Sequence, residues 1–203
     1  MKKIIIFMFI FIIICFLIPI IFSEKFEIKE TNIKIDENDI KQITLSNYKT
    51  IKLLHTQDNN VEDIEIEEYI KNVVSAEMPA EYHEEALKAQ AVVARTYTLY
   101  TILKNEKKHE NADICDSEKC CQAWISKEDR INKWGDNLST IYWEKITDAV
   151  NSTNGEIITY NGEIINAVYH ANSGGKTEKA SYIWDGRDYP YLQSVETLRR
   201  KWI

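Results

Sequence analysis

The sequence predicts an α+β fold: an N-terminal transmembrane helix, then one domain with two to three helices packed on antiparallel β structure. Three observations carry this. Ile66, Tyr69, Ile70, Val73 and Val74 recur at spacings of three and four, the mark of a helix with one buried stripe. Asn161-Gly162 lies between two β-rich runs, the strongest short signal for a hairpin. Ile4 to Ser23 is a run without a charge, long enough to span a bilayer as a helix. Helices that precede a hairpin, instead of alternating with strands, indicate α+β rather than α/β.

The elements follow in order. Lys2 and Lys3 precede the apolar run, so the positive-inside rule places residues 1–3 in the cytoplasm, 4–23 in the membrane and the rest outside. The competing reading is a cleaved signal peptide, but the run is long for one and Ser23-Glu24-Lys25 is a poor cleavage site. Cys15 follows Ile12-Ile13-Ile14, which lacks the small residue of a lipoprotein site, and reads as an apolar membrane residue. Residues 24–44 mix isoleucine with charge and read as a spacer before a domain over 45–203. Thr50 to His55 is a strand, and Gln57 to Asn60 a loop. A helix over 65–76 stops at Pro79. A second runs from about Glu84 to Lys104, burying Leu87, Ala91, Ala94, Thr98 and Ile102. Residues 105–122 form an irregular loop that holds three of the four cysteines. Ser139 caps a third helix to about Val150. Glu156–Tyr160 and Glu163–Tyr169 are the hairpin strands, and a polar glycine turn over 172–177 follows.

The formal net charge is −7, with 25 Lys+Arg against 32 Asp+Glu. Setting aside Lys2 and Lys3 leaves 23 against 32, so the remainder is still more acidic. Such a balance argues against nucleic acid as a partner and against wrapping an anionic membrane surface.

Glu77 ends an apolar helix just before a proline turn. The negative end of the helix dipole and the neighbouring Met78 and Val74 disfavour its ionised form, as a general acid requires. On the residues alone it is equally a surface glutamate at a helix end. In the second helix Lys88 and Arg95 share a face, as do Gln90 and Tyr97, with alanines beside them. They read either as a solvated face or as one wall of a sugar groove, which needs hydrogen-bonding side chains beside a flat aromatic.

Tyr69-Ile70-Lys71-Asn72-Val73-Val74-Ser75-Ala76-Glu77-Met78-Pro79-Ala80, followed by the stretch Glu85 to Tyr97, closely resembles the signature of the SpoIID/LytB family. Ser173-Gly174-Gly175-Lys176-Thr177-Glu178, Pro190-Tyr191-Leu192-Gln193-Ser194-Val195, Asp113-Ile114-Cys115 and Cys121-Gln122-Ala123-Trp124 are similar to its later blocks. The resemblance spans about residues 45–196. It implies a membrane-anchored lytic transglycosylase of sporulation that acts during engulfment, in the space between mother cell and forespore. The substrate would be peptidoglycan glycan strands stripped of peptides by a SpoIIP-like amidase, cut between MurNAc and GlcNAc to leave 1,6-anhydroMurNAc ends. The family's catalytic glutamate falls on Glu77, its helix arginine on Arg95 and the basic residue of its Ser-Gly-Gly turn on Lys176. Arg95, Gln90, Tyr97, Lys88 and Lys176 are then expected to bind substrate, with Ser173 and His170 at the hairpin exit; Arg95 is also placed to hold Glu77. LytB relatives instead modify amidases, so a non-catalytic glycan-binding or amidase-activating module is the alternative. Family members usually continue beyond the Pro190–Val195 block, so the chain is expected to be a fragment or a shortened paralogue.

His109, Cys115, Cys120 and Cys121 form an H-x5-C-x4-C-C pattern, which suits one structural Zn²⁺ with no open position. A disulfide from Cys115 to Cys120 or Cys121 is the competing reading. Clostridial SpoIID proteins are similar, with His, Cys, His and Cys around a zinc; Cys120 stands here in place of the second histidine. His55 and His83 have no such company and read as surface residues.

Overall fold

The computed structural model describes residues 49–104, 108–183 and 186–197. The expected anchor at 4–23 and spacer at 24–44 lie outside the described residues. Among the described residues no helix is long and apolar enough to cross a membrane.

Strand β1 (Thr50–His55) and strand β2 (Asn60–Glu65) form an antiparallel hairpin, with Thr50 opposite Glu65 and His55 opposite Asn60. Ile51 and Leu53 point into the core and Lys52 to solvent, the alternation of a sheet buried on one face. β2 occupies a stretch expected to hold only a loop and the approach to a helix. Two further residues, Ile114 and Cys115, make β3, which joins the free side of β1 in parallel. The sheet is therefore mixed, not antiparallel as expected. A parallel neighbour needs a long crossover, and the two helices between β1 and β3 supply it.

Helix α1 (Ile66–Glu77) buries Ile66, Tyr69, Ile70, Val73 and Val74, the stripe read from the sequence. Met78 leaves the helical region at φ −124° and ψ 135°, because the proline that follows disfavours helical geometry there. Glu77 is thus the last helical residue. Helix α2 (Glu84–Leu103) starts at His83, whose Nδ1 accepts the Glu85 N–H at 3.3 Å. Its small residues Ala91 and Ala94 are fully buried and let α1 and the later helix approach closely.

Helix α3 (Lys127–Trp134) was not foreseen, since it has no fully buried residue and only two apolar side chains, Ile131 and Trp134, on its half-buried side. Its ends are set locally, where the Ser126 hydroxyl accepts the Asp129 N–H at 3.0 Å and Gly135 ends the helix at φ +76°, and Trp134 packs edge-on against Tyr142. Helix α4 (Ser139–Ser152) buries Trp143, Ile146, Ala149 and Val150. Ser139 is its buried first residue and makes no side-chain cap, because Leu138 occupies the capping position. Strands β4 (Thr159–Tyr160) and β5 (Glu163–Ile164) close on Asn161 at φ +52° and Gly162 at φ +78°, the twist that a two-residue hairpin requires. The hairpin is shorter than expected, and residues beyond Ile164 run on to the site instead. A short helix α5 (Ala180–Ile183) follows. One core joins Ile51, Leu53 and Ile114 of the sheet to α1, α2, α4 and Ile164.

Candidate functional site

Glu77 lines a cleft of about 780 Å³ together with Tyr97, Tyr100, Tyr169, His170 and Cys121. Its Oε1 accepts two hydrogen bonds, from the Ala123 N–H at 2.8 Å and the Tyr169 hydroxyl at 2.9 Å. Among the described residues Oε2 accepts none, so one oxygen is fixed and the other is left for the cleft. Burial, and then the Glu77 charge and hydrogen bond, push the Tyr169 phenol well above its ordinary value, so it remains a neutral donor. The same hydroxyl lies 3.3 Å from Gln122 Oε1. Gln122 is only 2% exposed, and its amide donates to the Tyr69 hydroxyl at 3.2 Å and to Thr98 Oγ1 at 3.0 Å. Glu77 therefore sits on a polar network rooted in α1, α2 and the hairpin exit, and such a network fixes orientation when its members are satisfied.

His109, Cys115, Cys120 and Cys121 come together beside this cleft. One ligand atom from each lies within 4.8 Å of the others, and the four could hold a metal ion. Cys120 Sγ is 3.4 Å from His109 Nε2 and 3.9 Å from Cys121 Sγ. Those sulfurs are much farther apart than the ~2.05 Å of a disulfide, and Cys115, Cys120 and Cys121 are all free thiols. The adjacent Cys120 and Cys121 both reach the cluster, since the chain turns there: the Cys120 and Cys121 N–H groups both donate to Ser117 O. Burial pushes the Cys115 and Cys121 thiols up.

Of the other residues expected at the site, Tyr97 and His170 line the Glu77 cleft. Arg95 is a correction. It is fully buried, and its guanidinium grips Glu67 through Nε at 2.9 Å and Nη2 at 2.6 Å while Nη1 donates to Glu156 O at 3.1 Å. It neither lines the cleft nor reaches Glu77. Lys88 pairs with Glu84 at 2.6 Å and Glu85 at 3.0 Å in the first turn of α2. Gln90 is partly buried, with Nε2 unpartnered in the interior. Lys176 is exposed on a bridge to Glu196, and the Ser173 hydroxyl bonds that of Thr197. None of these four lines the cleft. His55 also differs from the surface reading. It is part-buried, 3.3 Å from both Asp116 and Glu62 and edge-on to Trp124. His83 is exposed, as expected.

Sequence reasoning passed over Tyr169, Gln122 and the Ala123 N–H as partners of Glu77. Gln122 and Ala123 stand in a block already singled out, but nothing in their spacing indicates which carboxylate they face.

The family model SpoIID, described as a stage II sporulation protein, matches residues 55–160. Stage II sporulation protein D of Bacillus subtilis (strain 168) is 39% identical over 149 residues, which cover 73% of this chain and 43% of that protein. Its namesake in Bacillus amyloliquefaciens is 36% identical with the same coverage. The amidase enhancer of Bacillus subtilis (strain 168) is 32% identical over 123 residues, 61% of this chain and 14% of that protein. The chain thus spans less than half the length of these curated relatives.

Proposed function

The chain belongs to the SpoIID family of sporulation proteins, and from that premise we propose that it is a lytic transglycosylase of peptidoglycan glycan strands. One observation supports this most. Glu77 lines a cleft with one carboxylate oxygen held by two donors and the other without a partner among the described residues. In this reading the free oxygen delivers a proton to the glycosidic oxygen between MurNAc and GlcNAc. The same carboxylate then takes the proton of the MurNAc C6 hydroxyl as that oxygen attacks the anomeric carbon, closing the 1,6-anhydro ring. The nucleophile is intramolecular, so no second carboxylate has to activate water, unlike in the two-carboxylate hydrolases. Tyr169 stays protonated and orients the carboxylate without competing for its proton.

The metal reading is zinc. Ligand atoms around a tetrahedral zinc stand roughly 3.5–3.8 Å apart, and the 3.4 and 3.9 Å separations here are close to such edges. One histidine and three thiolates suit zinc and leave no position for water, so the ion would order the loop and take no part in the chemistry. The reading also includes an anchor at residues 4–23 and a domain over 45–203 outside the cytoplasm, between mother cell and forespore. Its substrate there would be strands already stripped by a SpoIIP-like amidase.

The similarity to an amidase enhancer favours a second reading, a non-catalytic module that binds glycan or activates an amidase. Mass spectrometry of peptide-free glycan strands after incubation separates the two. The enzyme releases 1,6-anhydro ends and Glu77→Gln does not; anhydro release by Glu77→Gln would sink the assignment. A wild-type protein that releases none but accelerates an amidase supports the second reading.

A further inference from the structure

The Pro190–Val195 block and the tip of the β4–β5 hairpin have no part in the chemistry at Glu77, yet they meet. Tyr160, Tyr189 and Tyr191 form a row of rings, with centroids 5.4 Å apart from Tyr160 to Tyr191 and 5.5 Å from Tyr191 to Tyr189. The interplanar angles are 49° and 40°, so the rings make a curved strip rather than a stack. They line a cleft of about 370 Å³, which Lys104, Asn161 and Glu163 complete. Lys104 and Glu163 pair at 2.9 Å on its rim, both well exposed.

This small cleft adjoins the one at Glu77. Tyr100 lines both. Asn166, in the wall of the Glu77 cleft, donates its N–H to the Tyr191 hydroxyl at 3.1 Å. Arg187, in the same wall, lies over the Tyr189 ring at 5.9 Å from its centroid. The aromatic strip is therefore fixed to the walls of the reaction cleft by three separate links.

Rings lined up beside carboxylate, ammonium and amide groups match one ligand chemistry well. A pyranose presents a flat apolar C–H face to an aromatic ring and hydroxyl or acetamido groups to the polar rim. We propose that Tyr160, Tyr189 and Tyr191 form a distal sugar-binding subsite, which holds an N-acetylhexosamine of the same glycan strand a few residues from the bond at Glu77. This deepens the transglycosylase reading and rests on it. The protein then grips several consecutive sugars, and its affinity rises with strand length.

The test is calorimetric titration of the full chain with N-acetylglucosamine oligomers from disaccharide to hexasaccharide, run beside an assay of anhydro ends on peptide-free strands. Wild-type affinity should rise with length. Tyr160→Ala should lose about tenfold for the hexasaccharide and nothing for the disaccharide, as the loss of one aromatic contact implies. Tyr160 is 42% exposed, so its truncation leaves the fold intact. Tyr191→Phe keeps the ring, loses only the link to Asn166, and should retain the length dependence. Hexasaccharide affinity unchanged in Tyr160→Ala overturns the subsite. Equal losses for short and long oligomers overturn it too, as does a wild-type affinity that ignores length. Failure of the parent reading has a different signature, with length-dependent binding present and no anhydro ends from the wild type.

Discussion

Truncation of Arg95 distinguishes a clamp of the fold from a wall of the groove. The side chain is 0% exposed, while that of Glu67 is 21% exposed. Arg95→Ala removes both hydrogen bonds to Glu67 and leaves Glu156 O without its donor. Breaking one partner of a buried ion pair costs about 3–5 kcal/mol, because the remaining charge is left uncompensated. Partial rehydration of Glu67 puts the cost at the lower end, about 3 kcal/mol. At about 2–4 °C per kcal/mol for a domain of this size, the melting temperature should fall by about 6–12 °C. Thermal unfolding followed by circular dichroism reads that shift. Glycan cleavage measured well below both transitions should stay near wild type. Arg95→Lys keeps the charge without the two-point grip and should fall between. A swap of both partners to apolar residues of similar volume, Glu67→Leu with Arg95→Met, should recover part of the loss, since no charge is then stranded. Unchanged melting with abolished cleavage would refute the clamp and return Arg95 to the groove.

Other perturbations test the rest of the site. Tyr169→Phe should cost about 0.5–1.5 kcal/mol in stability, by loss of one hydrogen bond, and lower kcat more than it raises KM, because the lost hydroxyl holds the Glu77 carboxylate while the ring stays in the cleft wall. Gln122→Ala should cost more, about 2–4 kcal/mol in denaturant unfolding, because Tyr69 and Thr98 lose a common partner in the interior. Metal analysis should find about one zinc per chain, and a strong chelator should expose the three thiols of Cys115, Cys120 and Cys121 to a thiol reagent; a disulfide in the metal-free native protein would overturn the cluster. Burial raises the phenols of Tyr69, Tyr97 and Tyr169 above the ordinary tyrosine value of about 10. The unfolded chain therefore gives up those protons first. Their contribution to stability is complete below about pH 10 and is lost as the pH rises beyond it. Absorbance at alkaline pH should show the fully buried Tyr69 phenol ionising only with unfolding, and Tyr97 and Tyr169 ionising later than the exposed tyrosines.

Much of the fold was legible because it rests on local signals. The stripe in α1, the proline that ends it and the Asn-Gly turn each state their own geometry. α3 was illegible because only two apolar residues, Ile131 and Trp134, sit on its half-buried side, too few for a period to show, while capping sets its ends. β3 was illegible for the opposite reason. Two residues carry no period, and their strand character comes wholly from β1, through the Leu53–Ile114 and Leu54–Cys115 pairs. Arg95 shows a third limit. A charged residue among alanines on a helix reads as surface until its partner is known, and Glu67 lies 28 residues away on another helix.

The site shows the same division. Glu77 was singled out by the family resemblance, since local chemistry alone left it a surface glutamate at a helix end, and its donors lie 46 and 92 residues downstream, at Ala123 and Tyr169. No spacing rule connects such positions; only the packed core does. The structure also ties the donors to the cysteines. Cys121 is adjacent to Gln122 and two residues from Ala123. Gln122 is anchored on Tyr69 and Thr98, and Cys121 Sγ accepts the N–H of Cys115 at the end of β3. The segment that presents the Ala123 N–H to Glu77 is thus pinned on one side by the core amide and on the other by the thiol cluster. The loop between has little apolar content of its own, so hydrophobic burial does not order it. The order of the cluster and the orientation of the carboxylate are therefore one structural problem, solved within the three residues Cys121, Gln122 and Ala123.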